Sequence, residues 1–130
     1  MRRGGAFTLI AAAAKETFEV GGEDREDDRI LGFLIAECGH RRIGHVITID
    51  VRSEARRLRV GSALLDAAEL RLRSARCRLV QLETAVDNVA ALSFYKRRGY
   101  NVIQTVSRYY SSGVDALLLE KDLLLALASS

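Results

Sequence analysis

A mixed α/β fold, a sheet with helices packed on it, is predicted by the 130-residue sequence on three observations. Runs rich in β-branched and aromatic residues recur toward both ends, separated by turn-forming residues. The apolar period lengthens to helical spacing at Val60 and again after Asn88. The resulting order places one strand–helix–strand crossover between hairpins, which implies parallel pairing in the middle and antiparallel pairing at the ends.

In chain order, AFTLIAAAAKETFEV suits a helical or irregular lead followed by a strand near Thr17–Val20. GGEDREDD is polar and glycine-led and reads as an exposed hairpin loop. ILGFLIAEC and IGHVITIDV are both strand-like, and only GHRR separates them, so they form an antiparallel hairpin. From Val60 the set Val60, Ala63, Leu64, Ala67, Ala68, Leu72 and Ala75 marks one face of a helix. RLVQLETAV is the next strand. NVAALSFYKRRG is a second helix, capped by Asp87 or Asn88 and stopped by Gly99. YNVIQTVSRYY and VDALLLEKDLLL are strands flanking the turn SSG. Three strands, helix, strand, helix and two strands make one domain over residues 1–130.

Composition narrows the function. Hydrophobic residues at 48% and charged residues at 28% describe a globular chain rather than a disordered one. A net charge of +3 does not imply a nucleic-acid partner. The clusters RRLR and YKRR lack an aromatic stacking platform. Cys38 and Cys77, far apart in apolar runs, read as two buried free thiols in a reducing compartment. His40 and His45 are the only histidines, and their spacing offers no metal site. The run Ala6–Ala14 after MRRGG is short for a signal peptide and lacks a cleavage site. No stretch approaches the ~20 apolar residues that span a membrane. A cytoplasmic location without membrane partners is expected.

The segment RRLRVGSALL, Arg56–Leu65, carries the functional question. It links a strand to a helix whose first turn offers unpaired N–H groups and the positive end of a dipole. Gly61 and Ala63 permit close approach of an anion, and Ser62 adds a hydroxyl. Taken alone the signal is weak, because a basic loop before a helix is more often simply solvated. It is not a Walker loop, because no Gly-Lys-Ser/Thr follows, and it lacks the glycine triplet of a dinucleotide fingerprint.

With its surroundings, ARRLRVGSALL resembles the acetyl-CoA pyrophosphate loop of the GNAT family of N-acetyltransferases, Gln/Arg-x-x-Gly-x-Gly/Ala. Arg56 fills the first place, Gly61 the last, and Arg59 stands where the first glycine is expected. LETAVDNVAALSFYKRRGY is similar to the family's second cofactor segment, Asn-x-x-Ala-x-x-x-Tyr followed by Gly and an aromatic. RYYSSGVDALLLEKDL resembles the ending of the RimI-like branch, which acetylates protein amino termini. The resemblance implies a mixed, mostly antiparallel sheet, splayed between the strand ending at Val51 and the strand carrying Glu83, with helices on its faces. It implies acetyl-CoA as acetyl donor and no metal. Pantetheine amides would pair with Ile49, Asp50 and Val51 as a pseudo-strand. The pyrophosphate would rest on the loop of Arg56, Arg57, Leu58, Arg59, Val60, Gly61, Ser62 and Ala63.

Acetyl transfer to an amine needs a base for the amine and a proton for the departing thiolate. By resemblance Glu83 is the base and Tyr95 the acid. Asn88 and Tyr95 are seven residues apart, so they project from nearly one helix face, ~10.5 Å apart along the axis. Asn88 would bind the cofactor's pantetheine arm or its phosphate end. By resemblance Tyr109 and Tyr110 would line the acceptor groove, only one of the two pointing into it because adjacent strand residues face opposite sides. Lys96, Arg97 and Arg98 complement the helix dipole. The acceptor implied is a primary amine, above all the amino terminus of a protein or peptide. The family opens with a strand and two helices that wall the acceptor groove. About sixteen residues precede the first expected strand, so that wall is expected to be shortened or missing. A homodimer exchanging the apolar tail Leu123–Ala128 would rebuild it. The rival expectation is a catalytically weak module that only binds acetyl-CoA.

Overall fold

The computed structural model describes residues 5–14, 17–22, 29–107 and 111–124. They form two compact units, Met1–Cys77 and Arg78–Ser130.

The first unit contains β1 (Ala6–Ala14), β2 (Thr17–Gly22), β3 (Ile30–Cys38), β4 (Ile43–Val51), a 3-10 turn (Ser53–Leu58) and α1 (Val60–Ser74). Its strands lie in the order β2-β1-β3-β4, each pair antiparallel. Residues 6–14 are thus a strand and not the helical or irregular lead expected from sequence, and four strands rather than three precede the first helix. The reason is tertiary. β1 is held on both edges, Ala11 opposite Val20 on one side and Gly32 on the other. Ala11 and Ala12 are fully buried. Two paired edges and burial outweigh the local preference of an alanine run. Residues 23–28, expected as a hairpin loop, lie outside the described residues.

The β3–β4 hairpin forms as expected, with a short 3-10 turn at His40–Arg42. α1 buries Val60, Leu64, Leu65, Ala68 and Leu72, and the strands contribute Leu9, Leu31, Leu34, Ala36 and Val46. Arg71 on α1 lies over the Phe7 ring of β1, 4.4 Å from its centroid. A Cβ at Gly44 would meet Leu72 Cδ1 at 2.7 Å, so the missing side chain lets the end of α1 settle onto β4. Gly44→Ala is expected to lower stability by about 1–3 kcal/mol through overpacking. Urea unfolding checks this, and an unchanged midpoint would show that Leu72 swings away freely. The same close packing brings together Cys38 and Cys77, which the sequence keeps apart: their sulfurs are 2.6 Å from each other.

The second unit contains β5 (Leu79–Ala85), α2 (Val89–Arg97), β6 (Asn101–Val106) and β7 (Ala116–Asp122). Its strands run β5-β7-β6, again antiparallel within the unit. Val80, Leu82, Tyr100, Ala116, Leu119 and Leu123 are buried. Of the two candidate caps for α2 it is Asn88 that serves, its Oδ1 accepting the Ala91 N–H at 3.1 Å. Gly99 ends the helix with φ +95°, as expected of a glycine stop. The Leu123 N–H donates to the Arg78 carbonyl at 2.9 Å, anchoring the end of β7. The rest of the apolar tail, residues 125–128, lies outside the described residues.

Candidate cofactor and active site

In the first unit the candidate site begins on β4. Ile35 faces Thr48 while Ala36 faces Val46, so Ile47 is an extra residue bulged out of the ladder. Such a bulge bends the strand and re-aims the residues beyond it, here Ile49, Asp50 and Val51. These three remain paired with Leu34, Phe33 and Gly32 of β3. At the end of the strand the Arg52 N–H donates to the Leu31 carbonyl at 2.8 Å. This fixes the direction in which the chain leaves the sheet.

The next residues wind into the 3-10 turn Ser53–Leu58, with the Ala55 N–H on the Arg52 carbonyl at 2.9 Å and Ala55 itself buried. Glu54 is exposed and 3.5 Å from Arg52. Its own backbone N–H, ahead of the Arg52 guanidinium, holds its carboxyl below the usual range. Arg59 then takes the left-handed conformation, φ 63° and ψ 32°, and stands as N-cap of α1. The Ala63 N–H closes the first helical turn on the Arg59 carbonyl at 3.1 Å. No side chain caps this end, and the first turn has no acidic residue. The first-turn N–H groups of Val60, Gly61 and Ser62 point out of the helix start. Arg56, Leu58 and Arg59 are exposed around it, Gly61, Ser62 and Ala63 are half-buried, and Val60 is buried. Arg57 belongs to the same turn. Oriented donors, a positive dipole end and arginines make a fitting seat for a diphosphate.

The left-handed backbone at Arg59 is what its departure from glycine in the family pattern foreshadowed. A β-carbon there costs about 1 kcal/mol or more. Arg59→Gly is therefore expected to raise stability by about 0.5–1 kcal/mol in denaturant unfolding and to weaken acetyl-CoA binding in calorimetry. A variant that is both less stable and unchanged in binding would contradict both halves.

The second unit holds the candidate acid–base residues. β5 alternates, with Val80, Leu82 and Thr84 buried on one face and Gln81 and Glu83 half-buried on the other. On that second face the Gln81 amide donates to Glu120 Oε2 at 2.8 Å, and Glu83 lies opposite Leu118. On α2 the Oδ1 of Asn88 is engaged by the cap, so its Nδ2 is the group left for a ligand. Tyr95 is only 7% exposed. Its ring meets Phe94 edge-on at 5.3 Å and Tyr100 at 5.8 Å between centroids. Arg97 donates to Ser93 Oγ at 2.8 Å from the last turn of α2, where it and Lys96 complement the dipole.

Two features were missed in the sequence. The bulge at Ile47 leaves no trace in a run that is apolar throughout. Tyr100 had a signal, as the aromatic after Gly99, yet its part in holding the Tyr95 ring shows only in the fold. Tyr109 and Tyr110 lie outside the described residues. Among the described residues no three His, Cys, Asp or Glu side chains group to hold a metal. No helix there is long and apolar enough to cross a membrane.

An uncharacterized N-acetyltransferase of Methanocaldococcus jannaschii is 36% identical over 73% of this chain and 61% of its own. The N-alpha-acetyltransferase of Sulfurisphaera tokodaii is 36% identical over 58% of this chain and 46% of its own. The chain thus spans about half to three-fifths of the length of these relatives. The crystal structure of Ard1 from Thermoplasma volcanium superposes with a TM-score of 0.69 at 29% identity, covering 72% of this chain and 64% of that one. Residues 6–100 match the acetyltransferase (GNAT) family, a span that runs from β1 through α2, and the chain belongs to that family.

Proposed function

We propose that this chain is an acetyl-CoA-dependent N-acetyltransferase whose acceptor is the α-amino group of a protein or peptide. The observation that carries the reading is the start of α1. An uncapped first turn follows a left-handed Arg59 and an arginine-rich turn, inside a chain that belongs to an acetyltransferase family. The acceptor class is supported by a relative named N-alpha-acetyltransferase.

Acetyl-CoA supplies the acetyl group as a thioester. The turn from Arg56 to Ala63 binds its diphosphate through backbone N–H groups and guanidinium charge. Ile49, Asp50 and Val51 offer backbone groups to the pantetheine amides, and the Nδ2 of Asn88 adds a donor. Glu83 accepts a proton from the acceptor ammonium, directly or through water. The amine so freed attacks the thioester carbonyl, and Tyr95 gives its phenolic proton to the departing thiolate. An α-amino group has a pKa near ~7.7–8.0, so a carboxylate is a sufficient base.

Protein, acetyl-CoA and a peptide library are mixed and the release of free thiol is followed. Thiol release with acetylated peptide amino termini is the expected result. Binding without turnover on any amine would reduce the chain to a cofactor-binding module, and absence of binding would remove both readings. Glu83→Gln is expected to lower kcat/KM by roughly 10²-fold or more near neutral pH. The deficit should shrink as pH rises past the amine's own pKa. A deficit that does not change with pH would take the base role from Glu83.

A further inference from the structure

Cys38 ends β3, Cys77 follows α1, and their sulfurs stand 2.6 Å apart although 39 residues separate them in sequence. Both are free thiols. A covalent S–S bond is about 2.05 Å long, so bonding needs only about half an ångström of approach.

The framework holds them there. Cys38 is the ladder partner of Gly44. Gly44 lies under Leu72, whose Cδ1 is 2.7 Å from where a Cβ would stand. The Leu72 carbonyl accepts the N–H groups of Ala75 at 3.1 Å and Cys77 at 2.9 Å. Each cysteine is thus tied to the same Gly44–Leu72 contact, one through the hairpin and one through the helix end. Reacting groups held this way behave as if at very high concentration.

Access is unequal. Cys77 is 1% exposed, whereas Cys38 is half-buried. Burial, then the hydrogen bond with Cys38, pushes the Cys77 thiol up to about 12. The sulfur that an outside reagent meets is therefore Cys38. Exposed His40, Arg41 and Arg42 follow it in the hairpin turn, and exposed Arg76 precedes Cys77. Arg41, Arg42 and Arg76 also take left-handed backbone conformations, φ 61°, 61° and 70°, a strain concentrated at this one end of the unit. Several cations beside a reachable thiol favour an anionic reagent.

We propose that Cys38 and Cys77 are a redox-active pair that closes to an intramolecular disulfide by exchange with an anionic small-molecule disulfide of the glutathione type. The Cys38 thiolate attacks one sulfur of the reagent, the reagent's S–S bond breaks, and one small thiol leaves. The Cys77 sulfur then attacks the Cys38 sulfur, the mixed S–S bond breaks, and the Cys77 proton goes to the departing small thiolate, which leaves as the second small thiol. Two protein thiols are oxidised and one small disulfide is reduced to two thiols. The new bond ties the end of β3 to the end of α1 and encloses β4, the 3-10 turn and α1. The proposal stands independently of the acetyl-transfer reading.

The test treats the folded full chain with glutathione disulfide and follows intact mass, free thiols, a peptide map and thermal unfolding. Both thiols should disappear together, with a mass lower by two hydrogen atoms and one Cys38–Cys77 linked peptide. The unfolding midpoint should rise by roughly 10 °C, as expected for cross-linking a loop of this length, and dithiothreitol should restore it. Cys77→Ser should stop at one glutathione adduct on Cys38, and Cys38→Ser should leave Cys77 unreacted. A wild-type chain that keeps both thiols, retains stable adducts, or links to a second copy would overturn the proposal.

Discussion

Replacing Tyr95 by phenylalanine is expected to lower kcat by roughly 10²-fold or more while leaving acetyl-CoA affinity within a few fold. The substitution removes one oxygen and keeps the ring. The edge contacts with Phe94 and Tyr100 are made by the ring, so the packing of α2 is kept. If Tyr95 supplies the proton to the leaving thiolate, as proposed, its loss falls on turnover. Tyr95→Ala is the contrasting variant, because deleting a nearly buried ring costs about 3–5 kcal/mol and would depress everything at once. Steady-state kinetics beside calorimetric binding separate the two cases. Full turnover in the phenylalanine variant would return Tyr95 to a purely packing role.

Ser62→Asp is expected to move stability and binding in opposite directions. Ser62 lies in the first turn of α1, where no acidic residue and no side-chain cap is present. A carboxylate there favours the helix by about 0.3–1 kcal/mol through the dipole. The same charge would sit within a few ångströms of a bound diphosphate, where like charges repel by several kcal/mol at an effective dielectric of about 20. Acetyl-CoA affinity should fall by roughly 100-fold or more, and Ser62→Ala should change it little. Denaturant unfolding and calorimetry on the same preparations check both signs. Undiminished affinity in the aspartate variant would show that the diphosphate rests elsewhere.

The elements with unambiguous periodicity were legible in the sequence. α1 begins at Val60 because the apolar spacing begins there, and α2 ends before Gly99 because a left-handed stop needs a glycine. The β3–β4 hairpin arises from two strand-like runs with four residues between them. β1 was not legible, because nine residues of mixed alanine and larger apolar side chains carry no distinctive period. Its strand state is imposed by β2 and β3 on its two edges. The candidate site is legible in the sequence only as residue types: arginines, a small-residue helix start, Glu83, Asn88 and Tyr95. Which atoms of these residues remain for a ligand is not. That the cap occupies Asn88 Oδ1 is decided by the turn entering α2, and that Tyr95 is walled by Phe94 and Tyr100 is decided by packing. The meeting of Cys38 and Cys77 was hidden for a related reason, since a contact across 39 residues depends on Gly44 admitting Leu72.

The ladder between β6 and β7 slips at one point, where Val102 faces Leu119 but Gln104 faces Leu118. Ile103 is the residue left over. β6 closes its row of strands, and it presents Val102 and Ile103 exposed. A straight border with apolar side chains would be a template on which stray polypeptide could crystallise into fibrous aggregates. The kink at Ile103 spoils the template, because an incoming straight segment can match the spacing on one side of it only. A single surplus residue thereby disfavours strand addition at this edge.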